Sequence, residues 1–214
     1  MVTDILLQIA LILVMVVMFL AMHNIPQRYF AKLRLRFRSN VESKRHFVRG
    51  AQLLARARSA PSRSSATSLA EEVVAEANKA IALDPKDAAA HILKALALDT
   101  QGFKTSALES LDTALSPLVA KSLSDEERGD ALFKRAELKM STNRRALVDS
   151  ALADLTESVT LSQNANSYYW LGKCYETKKL REEAKKAYEE ALNIEPRLSN
   201  AREALERLSS SQSS

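Results

Sequence analysis

Seven residues within the segment 165–196 constrain the fold of this chain more than any other feature. They are Leu171, Gly172, Tyr175, Ala184, Tyr188, Ala191 and Pro196. Two antiparallel helices can approach closely only where side chains are small, and Gly172, Ala184 and Ala191 provide such positions. The two tyrosines fill the volume that is left over. The spacing therefore predicts a helical hairpin in which small residues set the distance between the helices.

This segment resembles a tetratricopeptide (TPR) repeat. In that family a Leu-Gly pair, a Tyr, a small Ala, an aromatic residue and a closing Pro follow one another within ~34 residues. All of them are present here without an insertion. One such hairpin cannot bury its own apolar face, so the resemblance implies further repeats stacked beside it.

Weaker matches to the same template lie upstream. The second repeat is carried by Ala95, Leu98, Gly102, Ala107, Leu111 and Ala114, with Pro117 slightly early. A third helix pair is predicted over 131–140 and 146–161, and Ser124 with Glu127 forms a candidate capping box before it. An earlier pair is predicted over 44–58 and 69–83. The Ser- and Pro-rich stretch between them, 59–68, is predicted to be a disordered insert.

The resemblance covers 44–208, which corresponds to about four repeats and a capping helix over 200–208. The Ser-rich tail, 209–214, is predicted to be disordered. The fold class is therefore all-α, a TPR-type solenoid of helical hairpins, and we expect a transmembrane helix before it.

The expectation of a transmembrane helix comes from residues 5–25, which contain no Asp, Glu, Lys or Arg. A helix of this length crosses a ~30 Å hydrocarbon core. A cleaved signal peptide is the alternative, but it would have a basic leading region, whereas Asp4 precedes this stretch. We therefore predict that residues 1–27 are a single-pass signal-anchor.

A basic neck, residues 28–43, follows the predicted anchor. From Arg28 to Arg63 there are eleven Lys or Arg against Glu42 alone, a local charge of +10, whereas the rest of the chain carries −5. The positive-inside bias places the repeats in the cytosol. The predicted membrane-surface residues are Arg28, Lys32, Arg34, Arg36 and Arg38. They attract anionic lipid or serve only as a topology signal.

Nucleic acid is not an expected partner, because the basic residues lie beside the anchor and the repeat body is acidic. No catalytic, cofactor or metal site is expected either. The three histidines are far apart in sequence, and Cys174 has no activating neighbour that the pattern identifies. The chain is therefore expected not to be an enzyme.

The resemblance implies a concave wall, lined by the first helices, that binds an extended peptide or a partner helix. The candidate groove residues are Lys94, Lys134, Glu137, Tyr169, Trp170 and Lys173. Trp170 is either an anchor for a partner side chain or a core residue packed against the preceding repeat.

One TPR subset binds the acidic tail of heat-shock chaperones through Lys, Asn and Arg of successive first helices. The corresponding positions here hold Ile92, Leu93 and Leu96, then Phe133, Lys134 and Glu137, then Asn166, Trp170 and Lys173. The clamp is not reproduced, and this departure points to another ligand. The function expected from sequence is therefore a membrane-anchored, cytosol-facing TPR adaptor for a protein partner.

Two other functions stay open. The architecture is similar to that of the TPR receptors of mitochondrial and chloroplast outer membranes, which meet precursor proteins or chaperones. A structural subunit of a membrane complex is the other, and Gln8 in the span is a weak sign of helix contact. The endoplasmic reticulum is an equally good location, because nothing in residues 5–25 distinguishes one membrane from another.

Overall fold

A computed structural model describes residues 5–6, 8–15, 25–142 and 145–210 of the chain. In this part, nine α-helices follow one another from residue 25. They are α1 (Ile25–Arg58), α2 (Arg63–Leu83), α3 (Ala88–Gln101), α4 (Lys104–Ala114), α5 (Asp125–Ser141), α6 (Val148–Leu161), α7 (Ala165–Thr177), α8 (Arg181–Ile194) and α9 (Ser199–Ser210). Four hairpins result, α1–α2, α3–α4, α5–α6 and α7–α8, which we number repeats 1 to 4, and α9 packs on α8. The predicted helical-repeat fold is confirmed.

Local sequence explains most helix boundaries. The side chain of Asp87 caps α3, and that of Asn164 caps α7. Ser124 and Glu127 form the predicted capping box at the start of α5. Gly102 ends α3 in the left-handed conformation, with φ of 89°, and Lys179 holds the equivalent turn before α8 with φ of 64°. A lysine therefore occupies a backbone conformation that glycine adopts at lower cost.

The predicted disordered insert over 59–68 is wrong from residue 63 onward. Helix α2 begins at Arg63, and the Ser62 side chain caps it by accepting a hydrogen bond from the Ser65 backbone at 3.2 Å. The turn between α1 and α2 is correspondingly short. Ser62 acts here as a helix cap, and Ala70, two turns into α2, is fully buried against α1. The Ser62 cap therefore starts the helix within a segment whose composition suggests a loop.

The two ends of the chain also differ from the expected boundaries. The neck, 28–43, is part of α1, which runs without interruption into repeat 1. Residues 209–210 belong to α9, and the rest of the predicted tail, 211–214, lies outside the described residues. Helix α1 thus joins the basic neck and the first repeat in one element of 34 residues.

Small residues set the distance between paired helices, as predicted. Ala184 and Ala191 of α8 are fully buried, and Gly172 of α7 lies directly against Tyr188. A Cβ atom on Gly172 would be 2.5 Å from Cε1 of the Tyr188 ring. The Tyr188 hydroxyl donates to Glu176 at 2.7 Å, and it is therefore satisfied although the side chain is fully buried.

A network of charged side chains joins repeats 2 and 3. Arg135 of α5 donates two hydrogen bonds to Asp154 of α6, at 2.6 and 2.9 Å, and one to Asp112 of α4 at 3.0 Å. Lys139 donates to the same Asp154 at 2.6 Å. Asp154 is 6% exposed, so its charge depends on these two partners for compensation.

The predicted transmembrane helix falls partly outside the described residues, which omit residues 7 and 16–24. The described residues before this gap are helical, and their large apolar side chains are between 53% and 69% exposed. Among all described residues, no helix combines the length and hydropathy that crossing a bilayer requires.

A candidate protein-binding groove

The first helices of repeats 1 to 3 line one concave groove with a volume of about 670 Å³. Its floor is apolar and is formed by Phe47, Ala51, Leu54, Ile92, Leu93, Leu96 and Phe133. We call this surface the groove. Helix periodicity explains how the floor arises, since Phe47, Ala51 and Leu54 recur at four and three residues along one face of α1. Ile92 and Leu96 recur in the same way on α3.

Residues of the floor also belong to the packed interior. Leu54 and Leu93 are 5% and 4% exposed, whereas Phe47, Ile92, Leu96 and Phe133 are half-buried. Phe47 and Leu96 pack against a core cluster shared by repeats 1 and 2, and this contact holds their side chains in place. The floor is therefore a supported apolar surface that is partly open to solvent.

Acidic side chains of α5 form one wall of the groove. Glu127, Asp130 and Glu137 line it on this helix, together with Lys134 as the only cation of α5 among the lining residues. Backbone and side-chain hydrogen bonds from Ser124 lower the pKa of Glu127, which keeps this carboxylate charged near neutral pH. Asp130 is exposed and accepts a hydrogen bond from Asn164 at 3.3 Å.

Lys134 is not a free cation. Its ammonium lies 2.8 Å from Asp99 of α3 and 2.6 Å from Glu137. Burial opposes the charged form, but the hydrogen bonds to these two carboxylates outweigh it and raise the pKa of Lys134. The side chain is 23% exposed and connects two neighbouring first helices. It therefore helps to hold the groove together, and its charge is already matched by acidic partners.

At the far side, Arg58 contributes a cation from the end of α1. The α5 side of the groove presents three carboxylates and one ammonium, whereas the α1 side presents the cation of Arg58, so the two sides differ in charge. The α5 wall carries a net charge of −2 from its own lining residues.

The structure separates the six groove residues predicted from sequence. Lys134 and Glu137 line the groove. Tyr169 and Lys173 line a small polar cleft of about 370 Å³ between α7 and α9, beside Glu176 and Arg207. Lys94 is half-buried on α3 and does not belong to the groove lining.

Trp170 packs against the core cluster that repeats 3 and 4 share, which contains Ala136, Leu155 and Leu171. Its ring meets Tyr169 edge-on at 6.0 Å, and the Lys173 ammonium lies 4.4 Å from the ring centre. The side chain is half-buried, and the Tyr169 ring and the Lys173 ammonium both contact its aromatic ring. This placement is the one that the core alternative expects, and the role of Trp170 as an anchor stays a prediction.

The five predicted membrane-surface residues, Arg28, Lys32, Arg34, Arg36 and Arg38, all fall on α1. Their backbone is helical, and their role at a lipid surface stays a prediction.

The apolar floor is not among the candidate contacts predicted from sequence. Its signal is present in the chain, because Ile92, Leu93 and Leu96 replace the polar groups of the chaperone-tail clamp. The apolar replacement itself marks the surface that is available for a ligand.

Cys174 is fully buried against the same cluster as Trp170. Burial raises the pKa of its thiol to about 11. Within the described ranges, no group of three or more His, Cys, Asp or Glu side chains converges on a metal position. Cys174 is thus a packing residue with a protonated thiol at neutral pH.

Comparison with known proteins gives a short sequence match and a broad structural one. The sequence profile of the Tetratricopeptide repeat family matches residues 165–198. No curated protein matches the chain. Among solved structures, MamA 41-end from Desulfovibrio magneticus RS-1 is 17% identical, with a TM-score of 0.64 over 80% of this chain and 86% of that chain.

Two further structures share the fold. The APC/C hetero-tetramer Cut9-Hcn1 contains a chain that is 18% identical, with a TM-score of 0.58 over 66% of this chain and 27% of that one. A chain of the human IFIT1 dimer with PPP-AAAA is 17% identical, with a TM-score of 0.50 over 80% of this chain and 42% of that one. At these identities, the likeness establishes the fold alone.

Proposed function

We propose that this tetratricopeptide repeat protein is a membrane-anchored scaffold that binds an apolar segment of a protein partner in its groove. The observation that carries the proposal is the apolar floor that α1, α3 and α5 share along their concave side. Helical-repeat proteins use such extended concave surfaces for recognition. An apolar surface with polar residues along its edges is typical of a protein-binding site.

The polar groups beside the floor support recognition and give no support for catalysis. Lys134 is occupied by Asp99 and Glu137, and Glu127 is occupied by the cap of α5. None of these groups is arranged as a nucleophile beside a base, which acyl transfer or hydrolysis would need. We therefore expect binding without turnover.

The membrane part of the proposal is supported by sequence. Residues 5–25 lack charge, and the large apolar side chains that the structure describes among them are exposed rather than packed against the repeats. Exposed side chains of this type are stabilised when a bilayer covers them. The basic neck on α1 then favours a cytosolic position for the repeats.

The binding proposal is tested with a photoreactive amino acid placed at Ala55 of the full-length protein in cells. Ala55 is exposed and lines the groove, so a bound partner would be cross-linked there. Gln52 is the matched control, because it is exposed on the same helix and is not a groove residue. Capture of the same proteins from both positions, or from neither, would contradict a partner-binding groove.

The membrane proposal has a separate test. The full-length protein should stay in the pellet when membranes are washed with alkaline carbonate. Protease added to intact organelles should digest the repeats if they face the cytosol. Release by carbonate would refute the anchor, and protection from protease would refute the orientation.

A further inference from the structure

We infer that the occupant of the groove is an amphipathic helix that places its apolar face on the floor and basic side chains against the α5 wall. This inference rests on the proposed function and adds the conformation and charge of the ligand. It follows from three features of the groove: a floor without hydrogen-bonding side chains, a length that matches a short helix, and an acidic wall on one side.

The floor decides the conformation. An extended peptide leaves its backbone N–H and C=O groups unpaired, and a protein that binds one must supply partners for them. Phe47, Leu54, Ile92, Leu96 and Phe133 carry no donor or acceptor in their side chains. A buried peptide group without a partner costs about 1–3 kcal/mol. A helix satisfies these groups internally and presents only side chains to the floor.

The polar groups at the edge do not change this argument. Lys134 is held by two carboxylates, and the Asn164 side chain donates to Asp130 while it accepts from the Asn166 backbone. These two donors already have partners within the protein, so a strand would have to displace them and would find its remaining side-chain donor of the groove lining only at Arg58, at the end of α1. A helix would lie over the floor and leave these pairs in place.

The length of the floor also fits a helix. It extends across three adjacent first helices, and packed helices lie 8–10 Å apart, which gives about 16–20 Å from α1 to α5. About 11 to 14 helical residues cover this distance, enough for three or four apolar side chains on one face. A ligand of this size would use side chains at positions i, i+3 or i+4, and i+7.

Charge decides the polar side of the ligand. Glu127, Asp130 and Glu137 face the groove from α5, and only Lys134 opposes them there. Because Lys134 is shared between Glu137 and Asp99, it does not cancel the remaining carboxylates. Basic side chains along one flank of a bound helix would complement this wall, whereas acidic ones would be repelled.

The test uses the full-length protein in nanodiscs of zwitterionic lipid and three fluorescent peptides of about 14 residues. One peptide carries Leu at i, i+3, i+4 and i+7 with Arg on one flank. The second has Glu in place of each Arg, and the third has a central Pro that prevents helix formation. Anisotropy is measured against empty nanodiscs, and binding counts as groove-dependent only if Ala55→Trp removes it. Gln52→Trp is the matched control for the added indole.

We expect the Arg peptide to bind about tenfold more tightly than the Glu peptide at low salt, and this difference should shrink as salt screens the charges. The Pro peptide should bind at least about tenfold more weakly than the Arg peptide. Asp130→Asn combined with Glu137→Gln should reduce the preference for Arg. Glu109→Gln, an exposed carboxylate of α4 outside the groove, should leave the preference unchanged.

Groove-dependent binding of the Glu or Pro peptide that equals binding of the Arg peptide would overturn the inference and leave the proposed function intact. Absence of groove-dependent binding by all three peptides would also overturn it. In that case, cross-linking from Ala55 decides whether the groove binds a protein at all. A cross-linked product consisting of two copies of this chain would identify a second copy as the occupant. It would refute the inference that the occupant is a basic amphipathic helix of a different protein.

Discussion

The substitution Gly172→Ala tests how closely α7 and α8 approach. The added methyl would lie 2.5 Å from Cε1 and 2.8 Å from two further ring atoms of Tyr188. Ordinary carbon contacts are about 3.5–4.0 Å, so the helices would have to separate by roughly 1 Å. The ring cannot swing away, because Tyr188 is fully buried and its hydroxyl is bonded to Glu176.

The expected cost follows from two opposing effects. Overpacking a well-packed interface costs about 1–3 kcal/mol, and replacing Gly by Ala within a helix gains up to about 1 kcal/mol. We therefore expect Gly172→Ala to lower the free energy of unfolding by about 1–2 kcal/mol. Urea unfolding followed by circular dichroism at 222 nm measures this change.

The matched control is Gly50→Ala on α1. Its methyl would meet Cδ2 of Leu93 at 2.8 Å, but this atom is the end of a flexible side chain and the next contact is 3.5 Å. We expect little net change there. The combination with Tyr188→Leu should cost less than the two single changes added together, because removal of the ring relieves the clash. A neutral Gly172→Ala, or one no more costly than Gly50→Ala, would refute the close approach.

Three further predictions concern buried polar groups. Asp154→Ala removes the shared partner of two cations on α5 and should cost about 3–5 kcal/mol in urea unfolding. Asp149 pairs with Lys178 at the surface, so Asp149→Ala should cost below about 1 kcal/mol. If the two substitutions cost the same, Asp154 would not be a buried partner that its cations depend on. Hydrogen bonds from His46 and Lys79 lower the pKa of Glu76 below its ordinary value of 4.5. The stability that the Glu76 carboxylate contributes to the fold is therefore present above pH 4.5 and is lost as the pH falls below that value. Glu76→Gln should flatten this part of the stability profile, and an unchanged profile would show that another carboxyl is responsible. Cys174, the only cysteine, should react with a thiol reagent at pH 8 far more slowly in the native than in the urea-unfolded protein, and rapid native reaction would rule out its burial.

Sequence predicts the helical hairpins well because their determinants are local. The Leu171-Gly172 pair and Tyr188 belong to one short segment, and the capping box of α5 involves residues three apart. The start of α2 was predicted too late, since Ser and Pro indicate a loop by composition, whereas the Ser62 side chain caps a helix that begins at Arg63. Serine is common both in loops and at helix N-caps, so composition alone does not distinguish the two at that position.

The candidate site was only partly predictable, because it depends on contacts between residues of different repeats. Lys134 and Glu137 were identified, but the partner that occupies Lys134 is Asp99, which comes from another repeat. Sequence does not give the distance between these two side chains. The family template also directs attention to charged positions on first helices, whereas the open surface is made of apolar residues such as Leu96. Apolar residues at the positions of the clamp are therefore the sequence signal that marks the groove.

The uninterrupted course of α1 has a mechanical consequence. The same helix carries the basic residues from Arg28 to Arg38 and the groove residues from Phe47 to Leu54, and at 1.5 Å per residue it is about 50 Å long. Within this helix there is no glycine hinge or proline kink between the two regions, since Gly50 lies inside repeat 1 and Pro26 is at the start. If residues 5–25 anchor the chain as proposed, a tilt or rotation of α1 at the bilayer would turn the α1 side of the groove by the same angle. Lipid composition or a neighbouring membrane helix that changes this tilt would then change the affinity of the groove for its ligand.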